Sequence, residues 1–203
     1  MSPVFHRFAP ALPEDSAYHG MSPYFTENLR RGARMLLILT SVMAAIVAVF
    51  WMLRLRIALT DSACPLGIYR MVNRPISRGD LVLACLPPAL ARFAQARRYL
   101  ARGRGCGDGI EPVGKRVGAL PGDTVQITRD YVAINGHRLE NSATVSRDSR
   151  GRSLTHVTPG RYTIRPNHVW LLGTTDARSW DSRYFGPVPI GSVRAQLEPL
   201  VTW

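Results

Sequence analysis

GKRVGALPGDTVQITRDYVAINGHRL, residues 114–139, decides the fold class. It is a series of short β-prone runs broken by turn signals, PGD and INGH, and its second half reads as strand, Asn-Gly turn, strand. Outward from it, GDLVLACLP (79–87), GRYTIRPNHVWLLGT (160–174) and IGSVRAQLEPLVTW (190–203) have the same character, with PIG as further punctuation. The expectation is a mainly β, antiparallel domain over residues 57–203. One stretch departs from it: ALARFAQARRYLAR (89–102) carries apolar residues at helical spacing and ends in the Gly-rich GRGCGDG. It predicts an amphipathic helix in a small insertion, residues 86–111, between two strands.

Upstream, MLLILTSVMAAIVAVFWML (35–53) is an uncharged run of 19 residues. At about 1.5 Å per residue, a helix of that length spans the hydrocarbon core of a bilayer. The flanking Arg54-Leu55-Arg56 is no small-residue cleavage site, so the run reads as a retained transmembrane helix and not a removable leader. Residues 1–34 contain prolines and polar residues without sustained periodicity and read as a flexible tail. The 203 residues therefore hold an anchor and one domain large enough for its own core.

The formal charge of +12 comes from basic residues scattered along the chain without aromatic interleaving. That distribution suits a solvated surface near anionic lipid, and nucleic acid is not expected as a partner. Cys64, Cys85 and Cys106 are spaced 21 residues apart, which matches no zinc pattern, and neither metal nor cofactor is expected. In an oxidising compartment Cys85 and Cys106 could bridge, leaving Cys64 free; the sequence leaves the pairing open. The composition holds one sharper fact: of 26 basic residues, the sole lysine is Lys115. Arginine stays protonated near neutral pH, whereas a buried lysine can lose its proton and act as a base.

Four segments carry the chemistry: TDSACPLGIYR (60–70), GDLVLA (79–84), GKRVGALPGD (114–123) and GTTDARSWDSRYFGPV (173–188). Taken singly, a serine in a turn is ordinarily a satisfied loop hydroxyl, and Asp-Ser-Arg ordinarily a turn with an ion pair. In this order, after a membrane span, they resemble the motifs of the type I signal peptidase family, peptidase family S26. PLGIYR, the Cys-flanked insertion and DSRYFGPV resemble more narrowly its conjugative-transfer, TraF-like group.

The resemblance implies a signal-peptidase-like catalytic fold and a serine endopeptidase. Its nucleophile would be Ser62 and its general base Lys115, with Ser179 orienting the lysine amine and Thr60 helping to stabilise the oxyanion. Asp181 and Arg183 would form an ion pair that fixes the segment beside Lys115, with Asp181 also near the active site. Gly122 and Asp123 would make the turn that positions the lysine strand. Where the family has a bulky apolar residue after the nucleophile, this chain has Ala63 followed by Cys64. On the residue-shorter serine–proline spacing of some conjugative members, the nucleophile position would fall on Ala63; Ser62 is the register adopted. Cys85 and Cys106 would clamp the insertion as a cap beside the cleft. The implied setting is the bacterial inner membrane with the catalytic domain on the periplasmic side. The implied partners are the lipid bilayer, components of a conjugation or type IV secretion apparatus, and a membrane-bound precursor. For the conjugative group that precursor is a pilin, and its maturation extends to cyclisation in related systems; for the wider family it is an exported preprotein. A catalytically inert scaffold of the apparatus is the reading from outside the enzymes.

Overall fold

The computed structural model describes residues 23–58, 64–173 and 175–203. The readings made for residues 1–22, Thr60, Ser62 and Ala63 lie outside them. The chain divides into two compact units, Met1–Val49 and Phe50–Trp203.

Helix α1 (Pro23–Met52) begins well upstream of the uncharged run, and its stretch Glu27–Met52 is long and apolar enough to cross a membrane. Four consecutive apolar residues, Leu36, Leu37, Ile38 and Leu39, are exposed by 61–66% and so cover the helix all the way round. A helix apolar on every side and unpacked against protein is suited to lipid. The Thr40 hydroxyl donates to the Leu36 carbonyl at 2.9 Å, so this polar group is satisfied within the helix.

The second unit opens with strands β1 (Leu55–Ala58), β2 (Gly67–Val72) and β3 (Leu81–Ala84), followed by helix α2 (Pro88–Ala96). Next come β4 (Val113–Ala119), β5 (Thr124–Ile127), β6 (Val132–Ile134), β7 (His137–Arg138), β8 (Gly160–Thr163) and β9 (His168–Leu172). Helix α3 (Ser182–Phe185), β10 (Val188–Pro189) and β11 (Val193–Thr202) complete it. Among the described residues the strands form a seven-stranded sheet ordered β1-β2-β11-β3-β4-β9-β10 and a four-stranded sheet ordered β7-β6-β5-β8. Their pairings are antiparallel. The domain is thus mainly antiparallel β with a small helical insertion, as expected. The Asn-Gly turn joins β6 to β7 with φ of 50° at Asn135 and 87° at Gly136, the left-handed conformations a two-residue hairpin turn requires.

The insertion helix is shorter than the 89–102 expected from its apolar spacing. Pro88 occupies its first turn, where a missing N–H does no harm. At the other end Arg98 takes φ of 59°, and both Tyr99 and Leu100 turn their N–H groups back to the Ala94 carbonyl. The left-handed residue ends the helix and redirects the chain. A disulfide joins Cys85 to Cys106 and closes the insertion at its base, while Cys64 is a buried free thiol.

β4 is the hinge of the domain because it serves both cores. Its burial alternates strictly, with Val113, Lys115, Val117 and Ala119 inward. Val113 and Val117 join Val82, Ile110 and Leu171 in one core. Ala119 joins Val125, Val132, Ile134 and Trp170 in the other, between the sheets. Burying each such aliphatic side chain contributes about 1.5–3 kcal/mol. Gly118 permits the close approach, since a Cβ there would meet Leu172 Cδ1 at 2.8 Å.

The turn after β4 is fastened by Asp123, whose carboxylate accepts from Arg78 Nε at 2.6 Å, the Leu120 N–H at 2.8 Å and Asn135 Nδ2 at 2.9 Å. The Arg78 bond chiefly, against the opposing effect of burial, holds the Asp123 carboxyl down from 3.8 to about 2. A carboxyl depressed in the folded state stabilises above its unfolded value, and that contribution fades as pH falls through the folded value. Asp123→Asn is therefore expected to lower the melting temperature at neutral pH, with the gap from wild type shrinking between about pH 4 and pH 2. Thermal melts of the two proteins across that range check it; a gap independent of pH contradicts the assignment.

Candidate active site

Lys115 is buried for a reason of parity. On a strand of period two, Lys115 shares the inward row of Val113 and Val117, whereas Arg116 falls on the opposite face. Its backbone sits opposite Val82 of β3. The side chain is 4% exposed, and its Nζ donates to Ser179 Oγ at 2.5 Å. Burial is the main force on this amine and pushes it below its ordinary value of 10.5. The nearby Asp181 carboxylate pulls it back up, and the Arg183 guanidinium pushes it down.

Ser179 is held in place by a buried ion pair. Asp181 caps α3, accepting the Arg183 N–H at 3.1 Å through Oδ1, and its Oδ2 accepts the Gly173 N–H at 2.9 Å. The Arg183 side chain returns to the same carboxylate in a fork, Nε to Oδ1 at 2.9 Å and Nη2 to Oδ2 at 2.9 Å. Both residues are fully buried. Arg183 Nη2 also donates to the Ser179 carbonyl at 3.0 Å, and Nη1 to the carbonyls of Ala143 at 2.7 Å and Ala177 at 3.2 Å. One guanidinium thereby pins the loop that carries Ser179. The Ser182 hydroxyl accepts the Leu171 N–H at 2.9 Å, which ties the start of α3 to β9.

Lys115 and Ser179 line a cavity of about 460 Å³. Ile57 and Ala58 of β1, with Cys64, Tyr69, Tyr99, Asp148 and Trp180, also line it. Cys64 packs with Tyr69 and Leu81, which secures the chain just after residues 59–63. Burial first, then the Cys64 thiol, pushes the Tyr69 phenol up to about 12, so it stays neutral.

Of the site residues read from the sequence, Lys115, Ser179, Asp181 and Arg183 are brought together. Gly122 and Asp123 stand beyond the far end of β4, in the turn that leads into β5. Tyr99, Asp148 and Trp180 were not singled out in the sequence. Trp180 lies inside a quoted motif, but its neighbours in space come from segments far away in the chain, and no local signal announces them.

Breaking the buried pair is expected to be severe, because an unpaired buried charge costs about 3–5 kcal/mol. Arg183→Met should lower stability by that order, and Arg183→Lys should recover only part of it, since an ammonium lacks the planar fork. Chemical denaturation of the three proteins checks this; a stable Arg183→Met protein contradicts it.

The family model for signal peptidase, peptidase S26, matches residues 29–202. A conjugal transfer protein TraF of Agrobacterium tumefaciens (strain 15955) is 41% identical over 152 residues, covering 73% of this chain and 82% of that protein. A plasmid transfer protein TraF of Escherichia coli is 35% identical over 146 residues, covering 71% and 81%. A probable conjugal transfer protein TraF of Sinorhizobium fredii (strain NBRC 101917 / NGR234) is 37% identical over 184 residues, covering 88% and 95%. With this likeness over most of its length and an N-terminal helix suited to a membrane, the chain belongs to the signal peptidase family, peptidase S26, in its TraF group.

Proposed function

We propose that this protein is a membrane-anchored serine endopeptidase in which Lys115 activates Ser62 to cleave a translocated precursor, most specifically a conjugative pilin. The observation that carries the reading is the buried Lys115 amine, held by Ser179 in the wall of an open cavity. A neutral amine with its lone pair free is a general base, and a serine hydroxyl needs one. Support for Ser62 comes from its flanks. Ala58 and Cys64 both line the cavity that holds Lys115, and Ser62 is two residues from Cys64, a chain reach of at most about 7 Å.

In this mechanism Ser62 Oγ attacks the scissile carbonyl while its proton passes to Lys115 Nζ. The oxyanion is met by the Ser62 N–H and the Thr60 hydroxyl. The intermediate collapses to an ester on Ser62, and Lys115 delivers the proton to the leaving amine. Water then resolves the ester; an amine of the precursor doing so would give a cyclic product instead. Ser179 orients the lysine, while Asp181 and Arg183 hold Ser179. The domain assignment follows: residues 1–34 in the cytoplasm, 35–53 across the bacterial inner membrane, 57–203 on the periplasmic side, with 86–111 as a cap. The relatives named as conjugal and plasmid transfer proteins favour a role beside transfer proteins over a general role in removing signal peptides, and a pilin is the precursor such a role suggests.

The test is cleavage of a co-expressed pilin precursor in membranes carrying wild type, Ser62→Ala or Lys115→Arg, scored by product mass. Both variants should lose at least roughly three orders of magnitude in rate. A product lighter by one water than the linear fragment reports cyclisation. Cleavage that survives in both variants overturns the dyad, and cleavage of unrelated exported preproteins in place of the pilin favours the general peptidase. The pH dependence has a fixed sign. Because the base works only when neutral, kcat/KM should rise with pH through the lowered value of Lys115 and level off above it, well before free lysine would titrate.

A further inference from the structure

The ion pair fastens Ser179 from beneath, yet the residues just before it, Thr175, Asp176 and Arg178, are exposed. What confines the loop on its other flank is Trp180, the next residue along. Its indole stands in an aromatic cluster, stacked on Phe93 with centroids 5.8 Å apart, 5.4 Å from Tyr99, and edge-on to Phe185 at 4.8 Å. Phe185 belongs to α3, but Phe93 and Tyr99 belong to the disulfide-closed insertion. The insertion is itself secured. The Tyr99 hydroxyl donates to Asp148 at 2.6 Å, and Arg152 bonds the same carboxylate at 2.7 Å. Arg152 also donates to the Arg97 carbonyl at 2.9 Å, while the Arg97 side chain reaches the Ser153 carbonyl at 2.7 Å and lies 4.7 Å over the Phe93 ring.

We infer that Trp180 is a positioning residue through which the Cys85–Cys106 insertion holds Ser179, and thereby the Lys115 amine, in its dry and oriented place. The chain of contacts is continuous: disulfide, α2 and Tyr99, the Trp180 ring, the Ser179 backbone, the Ser179 hydroxyl, Lys115 Nζ. Phe93 takes no part in lining the cavity, so it acts on the site through the two rings it packs against, Trp180 and Tyr99. The insertion thus belongs to the active site as a buttress as well as a cap. The catalytic meaning of the inference rests on the Lys115 reading above, whereas the positioning itself does not.

The sole lysine makes the test direct. In the full chain labelled with 13Cε-lysine and held in detergent micelles, Lys115 is the one labelled residue, and its shift can be titrated without any substrate. The charged and titratable groups that bear on it, Asp181, Arg183, Asp176 and Cys64, are unchanged in the variants chosen. A moved midpoint therefore reports water entry and loss of position. Trp180→Ala and Phe93→Ala should each raise the midpoint by about one pH unit, towards that of a solvated lysine, and Trp180→Phe should restore most of the wild-type value. Cys85→Ser with Cys106→Ser should move it in the same direction. In precursor cleavage, Phe93→Ala should lower kcat about tenfold at neutral pH with KM little changed, and shift the acid limb of the profile upward by the same interval. If Trp180→Ala fails to fold, Phe93→Ala decides alone. Folded Phe93→Ala protein whose midpoint coincides with wild type overturns the inference. A shifted midpoint in a protein whose Ser62→Ala variant still cleaves would leave the positioning standing and sink the dyad.

Discussion

Keeping an amine inside a protein is the constraint on which this structure turns. An ammonium taken from water costs several kcal/mol, which is why buried lysines drop their pKa values or find partners. Lys115 is buried on the inward face of β4, between Val113 and Val117, and its hydrogen-bond partner is the neutral Ser179 hydroxyl, with Asp181 close enough to oppose the shift. A carboxylate bonded directly to Nζ would hold the proton on. Here the carboxylate of Asp181 is committed to Arg183, the Gly173 N–H and the α3 cap, so it steadies the site without bonding the amine and keeping it protonated.

The rest of the domain can be understood as the scaffold for that arrangement. β4 lies between β3 and β9 in the interior of the larger sheet, so the strand that carries the lysine is paired on both sides. The turn at Gly122 and Asp123 locks the far end of the same strand against Arg78 and Asn135. Arg183 gathers the carbonyls of the 141–143 and 177–179 segments, which otherwise would need water, and turns two loops into one rigid support. The cavity that Lys115 and Ser179 line is bounded also by Ile57 and Ala58 of β1 and by Tyr99 and Leu100 of the insertion.

Much of this was legible because it is local. Turn signals marked the hairpin at Asn135-Gly136, and the GKRVGALPGD run put the single lysine in a β-prone segment. The family resemblance implied an ion pair between Asp181 and Arg183, two residues apart, and the buried pair is there. The extent of the insertion helix was not legible, because the left-handed residue that ends it is Arg98 and not the Gly or Asn that ordinarily marks such an end. The aromatic cluster was equally hidden. Phe93 and Tyr99 reach Trp180 across more than 80 residues of chain, a distance over which periodicity carries no information. The Asp148 latch depends in the same way on contacts from Tyr99 and Arg97, distant in sequence.

The most direct test of the central claim is to find where the acyl group goes. Wild-type protein mixed with the proposed pilin precursor and quenched in acid would be digested and mapped by mass spectrometry for a precursor-derived ester. The account predicts that ester on Ser62 and its absence when Lys115 is replaced by Arg. A thioester on Cys64, an ester on Ser179, or an adduct on Ser62 that forms equally well without the lysine would contradict it.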